Sequence, residues 1–165
     1  MVVIEKKERL RKRCENLIKH IRKKYPVLRD TKIHLHVWRQ PIGSMMAERL
    51  FGYHIFVDYR KYKYASNTVL IGGLAHELAH LEYFKTRAFL KNLFDTMRYI
   101  CSRKFKRRVE IKTDKTTIEK GYGKELAVNT EFRLKTASER DINYKKRFYM
   151  MPDEIKSYAK KIGKW

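Results

Sequence analysis

The chain has 165 residues, 43% hydrophobic and 13% aromatic, which suits one domain with a modest core and excludes disorder throughout. Its 40 Lys and Arg against 18 Asp and Glu give a net charge of +22. This charge favours contact with nucleic acid or an anionic surface, or else reflects the heavily charged surface of a thermophilic protein. With no apolar leader and no stretch long enough to span a bilayer, the chain is expected to lack a signal peptide and a transmembrane segment. Cys14 and Cys101 fall on apolar stripes and are expected to be reduced core residues, which indicates a cytoplasmic protein.

Three elements are predicted in the first third of the chain. Apolar residues at helical spacing predict a basic amphipathic helix over 8 to 25, which Pro26 ends. Alternating apolar residues predict strands at 32 to 38 and 49 to 59. A turn is expected between the strands at Pro41, Gly43 and Ser44. The two strands are therefore expected to run antiparallel.

Helices are predicted for most of the remaining chain. Ser66 or Asn67 offers an N-cap for a helix that continues to about Phe84. Further helices are expected at 90 to 101, around 110 to 119 with Gly121 and Gly123 ending it, and from Pro152 onward. Strands followed by helices predict an α+β fold, with a small antiparallel or mixed sheet packed on the helix that begins near residue 67.

The motif with chemical content is His76-Glu77-x-x-His80. At about 100° per residue the two histidines lie about 40° apart on one helix face, so both imidazoles can bind one ion. Leucines cover the opposite face, and Gly73 on the histidine side is expected to leave room for water or substrate. Neutral imidazoles suit zinc, and Glu77 is expected to act as the catalytic general base that activates the attacking water.

A catalytic zinc site needs a third protein ligand, and no histidine follows His80. Glu110 is the preferred candidate, because Glu110 and Asp114 would lie one turn apart on a helix. Asp114 could then orient a histidine through its second ring nitrogen. Glu82 lies too near on the same helix and points away. Alternatives that stay open are His54, Glu119, Glu125 and Glu131.

The segments 72 to 82 and 110 to 114 resemble the gluzincin metallopeptidases, in which a two-histidine helix is followed by a Glu-x-x-x-Asp segment. Thr113 stands where an alanine is common in that family. In its small size the chain is most similar to the soluble minimal gluzincins of archaea and thermophilic bacteria. The resemblance implies a zincin-like fold and zinc-dependent hydrolysis of peptide or protein substrates.

The resemblance also implies an edge strand for substrate, for which 49 to 57 is the candidate, and a His, Tyr or Arg that stabilises the oxyanion. Tyrosines that could serve are Tyr122, Tyr144 and Tyr149. We divide the chain into an N-terminal helix (1–30), a catalytic domain (31–135) and a C-terminal segment (136–165). The C-terminal segment could cover the cleft and keep the enzyme latent, or simply complete the core. The alternative function is a basic nucleic-acid-associated protein with a structural or vestigial zinc site.

Overall fold

The computed structural model describes residues 2–39, 44–49 and 51–165, and their side chains except those of residues 2 and 3. Helices dominate these ranges, and three short strands form a mixed sheet, so the α+β prediction is confirmed. The elements are α1 Val2–Ile21, β1 Ile33–Trp38, β2 Met45–Glu48, β3 Tyr53–Asp58, α2 Tyr59–Tyr62, α3 Asn67–Lys85, α4 Phe89–Cys101, α5 Arg103–Thr117, α6 Gly123–Lys135, α7 Glu139–Phe148 and α8 Pro152–Lys161. None of the helices in the described ranges has the length and apolar character needed to cross a bilayer.

The strand order in the sheet is β1-β3-β2. β1 runs parallel to β3, with Ile33 opposite Tyr53, whereas β2 runs antiparallel to β3. The predicted antiparallel pairing of the first and second strands is therefore wrong. The sequence reading missed β2. The chain reverses direction before β2 and again before β3, so β3 runs parallel to β1. Of the predicted turn, Pro41 and Gly43 lie outside the described residues.

The predicted strand at 49 to 59 begins later than expected, at Tyr53. Gly52 has a φ of 138°, a backbone conformation that interrupts an extended strand and favours glycine. Because β3 is the central strand, the proposed substrate edge at 49 to 57 is also wrong. The edge beside α3 is β2, whose Met45 side chain lies against Gly73.

The main core lies between the sheet, α1 and α3. The apolar stripe of α1 is buried there, including Leu10, Cys14 and Ile18. The amphipathic reading of the N-terminal helix and the buried position of Cys14 are thus confirmed. Cys101 is exposed at the end of α4, so its predicted place in the core is wrong.

The last third of the chain forms a second core cluster. Ile155 and Ala159 of α8 are buried against Ile118 and Leu126, so the last helix completes the core. The sequence reading missed α6 and α7. Gly123 begins α6 instead of ending the preceding helix, and the break between α5 and α6 falls at Gly121, whose φ is 83°. The division of the chain at residues 30 and 135 stays a prediction.

Gly72 marks the closest approach of α3 to α6. A Cβ at position 72 would lie 2.0 Å from the backbone oxygen of Glu125 and 2.9 Å from the Cβ of Asn129. Since a backbone carbonyl cannot move without shifting α6, Gly72→Ala should lower the free energy of unfolding by about 3 kcal/mol. Chemical denaturation followed by circular dichroism measures this loss.

The neighbouring glycine provides the control. A Cβ at position 73 would meet the Sδ of Met45 at 2.6 Å, and this flexible thioether can move aside. Gly73→Ala should therefore destabilise the protein less than Gly72→Ala. Equal stability of the Gly72 variant and the wild type would show that α3 and α6 do not need this contact.

Candidate metal centre

The helix α3 carries both predicted histidines. Its N-cap is Ser66, whose Oγ accepts a hydrogen bond from the backbone N–H of Val69 at 3.3 Å, in agreement with the sequence prediction. The leucines of α3 are buried in the core, while His76 and Glu77 are buried on the side of the helix that holds the motif. The side chain of Met45 and the amide of Asn129 crowd the space beside Gly73. Gly73 therefore serves close packing and not, as expected, room for water or substrate.

The helix α5 brings Glu110 to the two histidines. The Oε2 atom of Glu110 lies 3.4 Å from Nε2 of His76 and 3.3 Å from Nε2 of His80. The two Nε2 atoms are 3.2 Å apart. These three atoms form a nearly equilateral triangle in a buried pocket, and the group could hold a metal ion.

The size of this triangle fits the geometry of zinc. Ligands at bond lengths of about 2.0–2.1 Å in a tetrahedron are about 3.3–3.4 Å apart. An ion above the triangle could bind all three atoms and keep a fourth position for another ligand. The donor set of two imidazoles and one carboxylate is also one that zinc uses.

Hydrogen bonds on the far side of each imidazole fix the tautomers that a metal requires. Nδ1 of His76 lies 2.9 Å from Oδ1 of Asp114, and Nδ1 of His80 lies 3.3 Å from Oγ1 of Thr113. The Thr113 hydroxyl donates to the backbone oxygen of Val109, so it accepts from His80. In their neutral form both histidines therefore carry the proton on Nδ1 and direct the Nε2 lone pair at the centre of the triangle.

The two carboxylates of α5 are themselves held in place. Oδ2 of Asp114 accepts a hydrogen bond from the backbone N–H of Met150 at 2.9 Å. Oε1 of Glu110 accepts a hydrogen bond from the hydroxyl of Tyr99 on α4. Oε2 of Glu110 is buried and has no hydrogen-bond donor among the described residues. A buried carboxylate oxygen without a donor is costly, and a cation at the triangle would satisfy it.

The electrostatics of the pocket favour a cation. Burial acts to lower the pKa of His76, but the hydrogen bond with Asp114 and the close carboxylate of Glu110 outweigh it and raise this pKa to about 10. Burial acts to raise the pKa of Glu110, but His80 and His76 hold it well below its usual range. The carboxylates thus attract a positive charge to the imidazoles, either a proton or a metal ion.

Metal binding should compete with this proton. Because a metal needs the neutral imidazole and the pKa of His76 is about 10, raising the pH removes the competing proton and favours binding. The affinity for zinc should rise roughly tenfold per pH unit between about pH 7 and pH 9, with about one proton released per ion. Calorimetric titration in buffers of different ionisation enthalpy measures the released proton. An affinity independent of pH over this range would contradict the assignment of His76.

Glu77 follows His76 on α3 and is also buried. No hydrogen bond from another described side chain or backbone N–H reaches its carboxylate. The guanidinium of Arg133, on α6, interacts electrostatically with Glu77 and Glu110. Burial acts to lower the pKa of Arg133, but Tyr62, Tyr149, Glu77 and Glu110 raise it. The Nε atom of Arg133 is buried without a hydrogen-bond partner in the described part of the chain.

Of the tyrosines considered for the oxyanion, only Tyr149 lies beside the motif. Its ring centre is 5.9 Å from that of His76 and 5.4 Å from the guanidinium carbon of Arg133. The ring of Tyr144 packs on Phe148. Tyr122 packs against the main core, and Lys24 lies over its ring.

The other candidate ligands lie apart from the triangle. His54 stacks on His34 and lies 3.0 Å from the ring nitrogen of His36 on the sheet. Glu82 forms an ion pair with Lys120, and the carboxylate of Glu119 accepts a hydrogen bond from Tyr158. Glu125 and Glu131 belong to α6 and are not members of the His–His–Glu group.

Three residues at the site were missed by the sequence reading, namely Tyr99, Thr113 and Arg133. A signal existed for Tyr99, because Asn92, Asp95, Thr96 and Tyr99 form a polar stripe at helical spacing on α4. Thr113 was noted only as a departure from the family pattern. Arg133 carried no signal, because it lies in a helix that was not predicted and is one of many cations in the chain.

Comparisons with known protein families, with curated proteins and with solved structures find no match to this chain. The resemblance to gluzincins therefore rests on residues 72 to 82 and 110 to 114 alone. Any functional conclusion has to come from the chemistry of the site.

Proposed function

We propose that this chain is a zinc-dependent peptidase of the gluzincin type with a zincin-like arrangement of sheet and helices. His76, His80 and Glu110 are the zinc ligands, and Asp114 orients His76. The observation that supports this most is the triangle of His76 Nε2, His80 Nε2 and Glu110 Oε2, with sides of 3.2 to 3.4 Å. Glu77, the buried neighbour of one ligand on the same helix, completes the set of groups that peptide hydrolysis needs.

A bound zinc ion would supply Lewis acidity, lowering the pKa of a water and polarising the substrate carbonyl. Glu77 takes the proton of the attacking water and later delivers it to the leaving amine. Its carboxylate is free for this role because no described residue donates a hydrogen bond to it. Arg133 stabilises the negative charge that develops on the carbonyl oxygen, and Tyr149 holds its guanidinium beside the site.

The substrate is an extended peptide that pairs with the edge strand β2. In the described part of the sheet β2 pairs on one side only, with β3. Met45 at the start of β2 contacts α3 at Gly73, one turn before His76. A peptide added to the free edge of β2 would gain main-chain hydrogen bonds and run close to the motif.

That the C-terminal segment keeps the enzyme latent stays a prediction. The part of this segment that contacts the site is shorter than expected. Tyr149 lies beside His76, and Met150 donates its backbone N–H to Asp114. The helix α8 packs in the second core cluster. A covering role would therefore belong to the link between α7 and α8, not to the last helix.

Hydrolysis of an unfolded protein by the zinc-loaded chain tests the proposal. We expect one zinc per chain, activity that a chelator removes, and recovery when zinc is added back. A chain that binds one equivalent of zinc but cleaves no unfolded protein would contradict the peptidase assignment. It would favour the alternative, a basic nucleic-acid-associated protein with a structural zinc site.

A further inference from the structure

The helix α4 turns its apolar face to solvent. Six large apolar side chains along it are between 53% and 77% exposed: Phe89, Leu90, Leu93, Phe94, Met97 and Ile100. They recur at helical spacing, so they form one continuous stripe. Single exposed apolar side chains are ordinary on a protein surface, but a continuous patch of this kind marks an interaction site.

Polar contacts on the opposite face fix this orientation. The Asn92 amide donates to the backbone oxygen of Phe84 at 2.8 Å. The carboxylate of Asp95 accepts hydrogen bonds from Tyr83 and Arg87, and Tyr99 donates to Glu110. Turning the helix to bury its apolar stripe would break these buried bonds. The apolar face is therefore held outward by the fold.

Between residues 89 and 115 the exposed charge is entirely positive. Residues 89 to 115 contain nine Lys and Arg, and their three acidic residues, Asp95, Glu110 and Asp114, are all buried. Lys91 and Arg98 follow one edge of the stripe, about 60° and 40° around the helix from Phe94. Within residues 89 to 115, this edge therefore has cations and no exposed carboxylate.

A cavity of about 800 Å³ opens beside the same edge, between α4 and α5. Six cations and no acidic residue contribute to its wall: Arg98, Lys104, Arg107, Arg108, Lys112 and Lys115. Such a cavity suits an anionic head group, because phosphate or carboxylate oxygens could contact several cations at once.

We propose that α4 binds an anionic lipid bilayer, lying in the plane of the interface. Its apolar side chains enter the acyl region, and the cation-lined cavity takes the anionic head groups. At 13 residues α4 is about 20 Å long, too short to cross the hydrocarbon core but suited to lie along it.

Other occupants fit the surface less well. A second copy of the chain would bring its own cationic rim against this one, with no exposed acid between 89 and 115 to pair with it. Nucleic acid would match the cations but would leave the apolar stripe in water. A bilayer with anionic lipids matches both features.

Vesicle flotation with the full chain tests the proposal, independently of any peptidase activity. The wild type should float with vesicles of phosphatidylserine and phosphatidylcholine and bind vesicles of phosphatidylcholine alone at least about tenfold more weakly. The double variant Leu93→Gln, Phe94→Gln should lose at least about tenfold in binding to the anionic vesicles. Phe51→Gln, at a side chain that is even more exposed but outside α4, should bind as the wild type does.

The cationic rim is tested by Lys104→Gln with Lys112→Gln, which should weaken vesicle binding by about tenfold or more. The matched control is Lys12→Gln with Lys19→Gln, a pair of exposed lysines on α1. A polarity-sensitive dye on Cys101 reports the position of α4, because Cys101 is exposed and Cys14 is buried. Its emission should shift to the blue when anionic vesicles are added.

Three results would overturn the proposal. The first is equal binding to neutral and anionic vesicles. The second is a wild-type dimer that the Leu93 and Phe94 variant converts to a monomer, without flotation of either protein. The third is tight binding of an RNA oligonucleotide that depends on Lys104 and Lys112, again without flotation.

Discussion

Glu110→Gln should lower the affinity for zinc by more than about 100-fold. Partners that only orient a ligand typically contribute 10- to 100-fold, and Glu110 is proposed as a ligand itself. The variant replaces an anionic oxygen with a neutral amide and removes the charge that lowers the cost of a buried cation. It keeps the size of the side chain, so packing around Tyr99 should change little. Competition with a chromophoric chelator measures the affinity.

Glu119→Gln is the matched control for this variant. Glu119 follows α5 in the chain, is exposed, and its carboxylate accepts a hydrogen bond from Tyr158 at 2.7 Å. The change removes the same charge from the protein without altering the triangle, so zinc affinity should stay within about twofold of the wild type. If Glu110→Gln retained a full equivalent of zinc at wild-type affinity, Glu110 could not be a ligand.

The arrangement of the triangle could be predicted because it depends mainly on spacing within helices. His76 and His80 are four residues apart on α3, and Glu110 and Asp114 are four residues apart on α5. Each pair therefore shares a helix face wherever the helices lie. Hydrophobic periodicity and the Ser66 cap were enough to locate α3. The approach of α5 to α3 could not be derived from spacing alone and was expected from the need for a third ligand and from the family resemblance.

The sheet was harder to predict because the direction of its strands depends on one short strand. β2 has only four residues, Met45–Glu48, and two adjacent methionines conceal its alternation. Without β2, a turn between two strands indicates an antiparallel pair. With β2 between them in the chain, β3 runs parallel to β1.

The orientation of α4 shows why an apolar stripe does not always indicate the core. Its spacing predicted the helix, but the rule that apolar faces turn inward gave Cys101 the wrong environment. The buried face is set by partners outside α4: Tyr83 of α3 and Arg87 of the preceding loop for Asp95, and Glu110 of α5 for Tyr99. Those partners cannot be identified from the α4 sequence alone.

Glu77→Gln should reduce peptide hydrolysis by about 10²- to 10⁴-fold while leaving zinc bound. General base catalysis contributes an effect of this size, and an amide cannot accept the proton of the attacking water. Glu77 supplies none of the three atoms of the triangle, so the affinity for zinc should change far less than in Glu110→Gln. The turnover rate and the metal content of the same preparation should be measured together.

Glu82→Gln is the control on the same helix. Glu82 pairs with Lys120 at 3.0 Å and lies away from the triangle, so its loss removes one charge from α3 without touching the site. It should keep normal turnover and normal zinc content. Because Glu77→Gln is expected to keep its metal, a low rate cannot be assigned to an empty site and must come from the missing base. Normal turnover in Glu77→Gln would remove Glu77 from the mechanism, and the proton would then have to pass to another group beside the triangle.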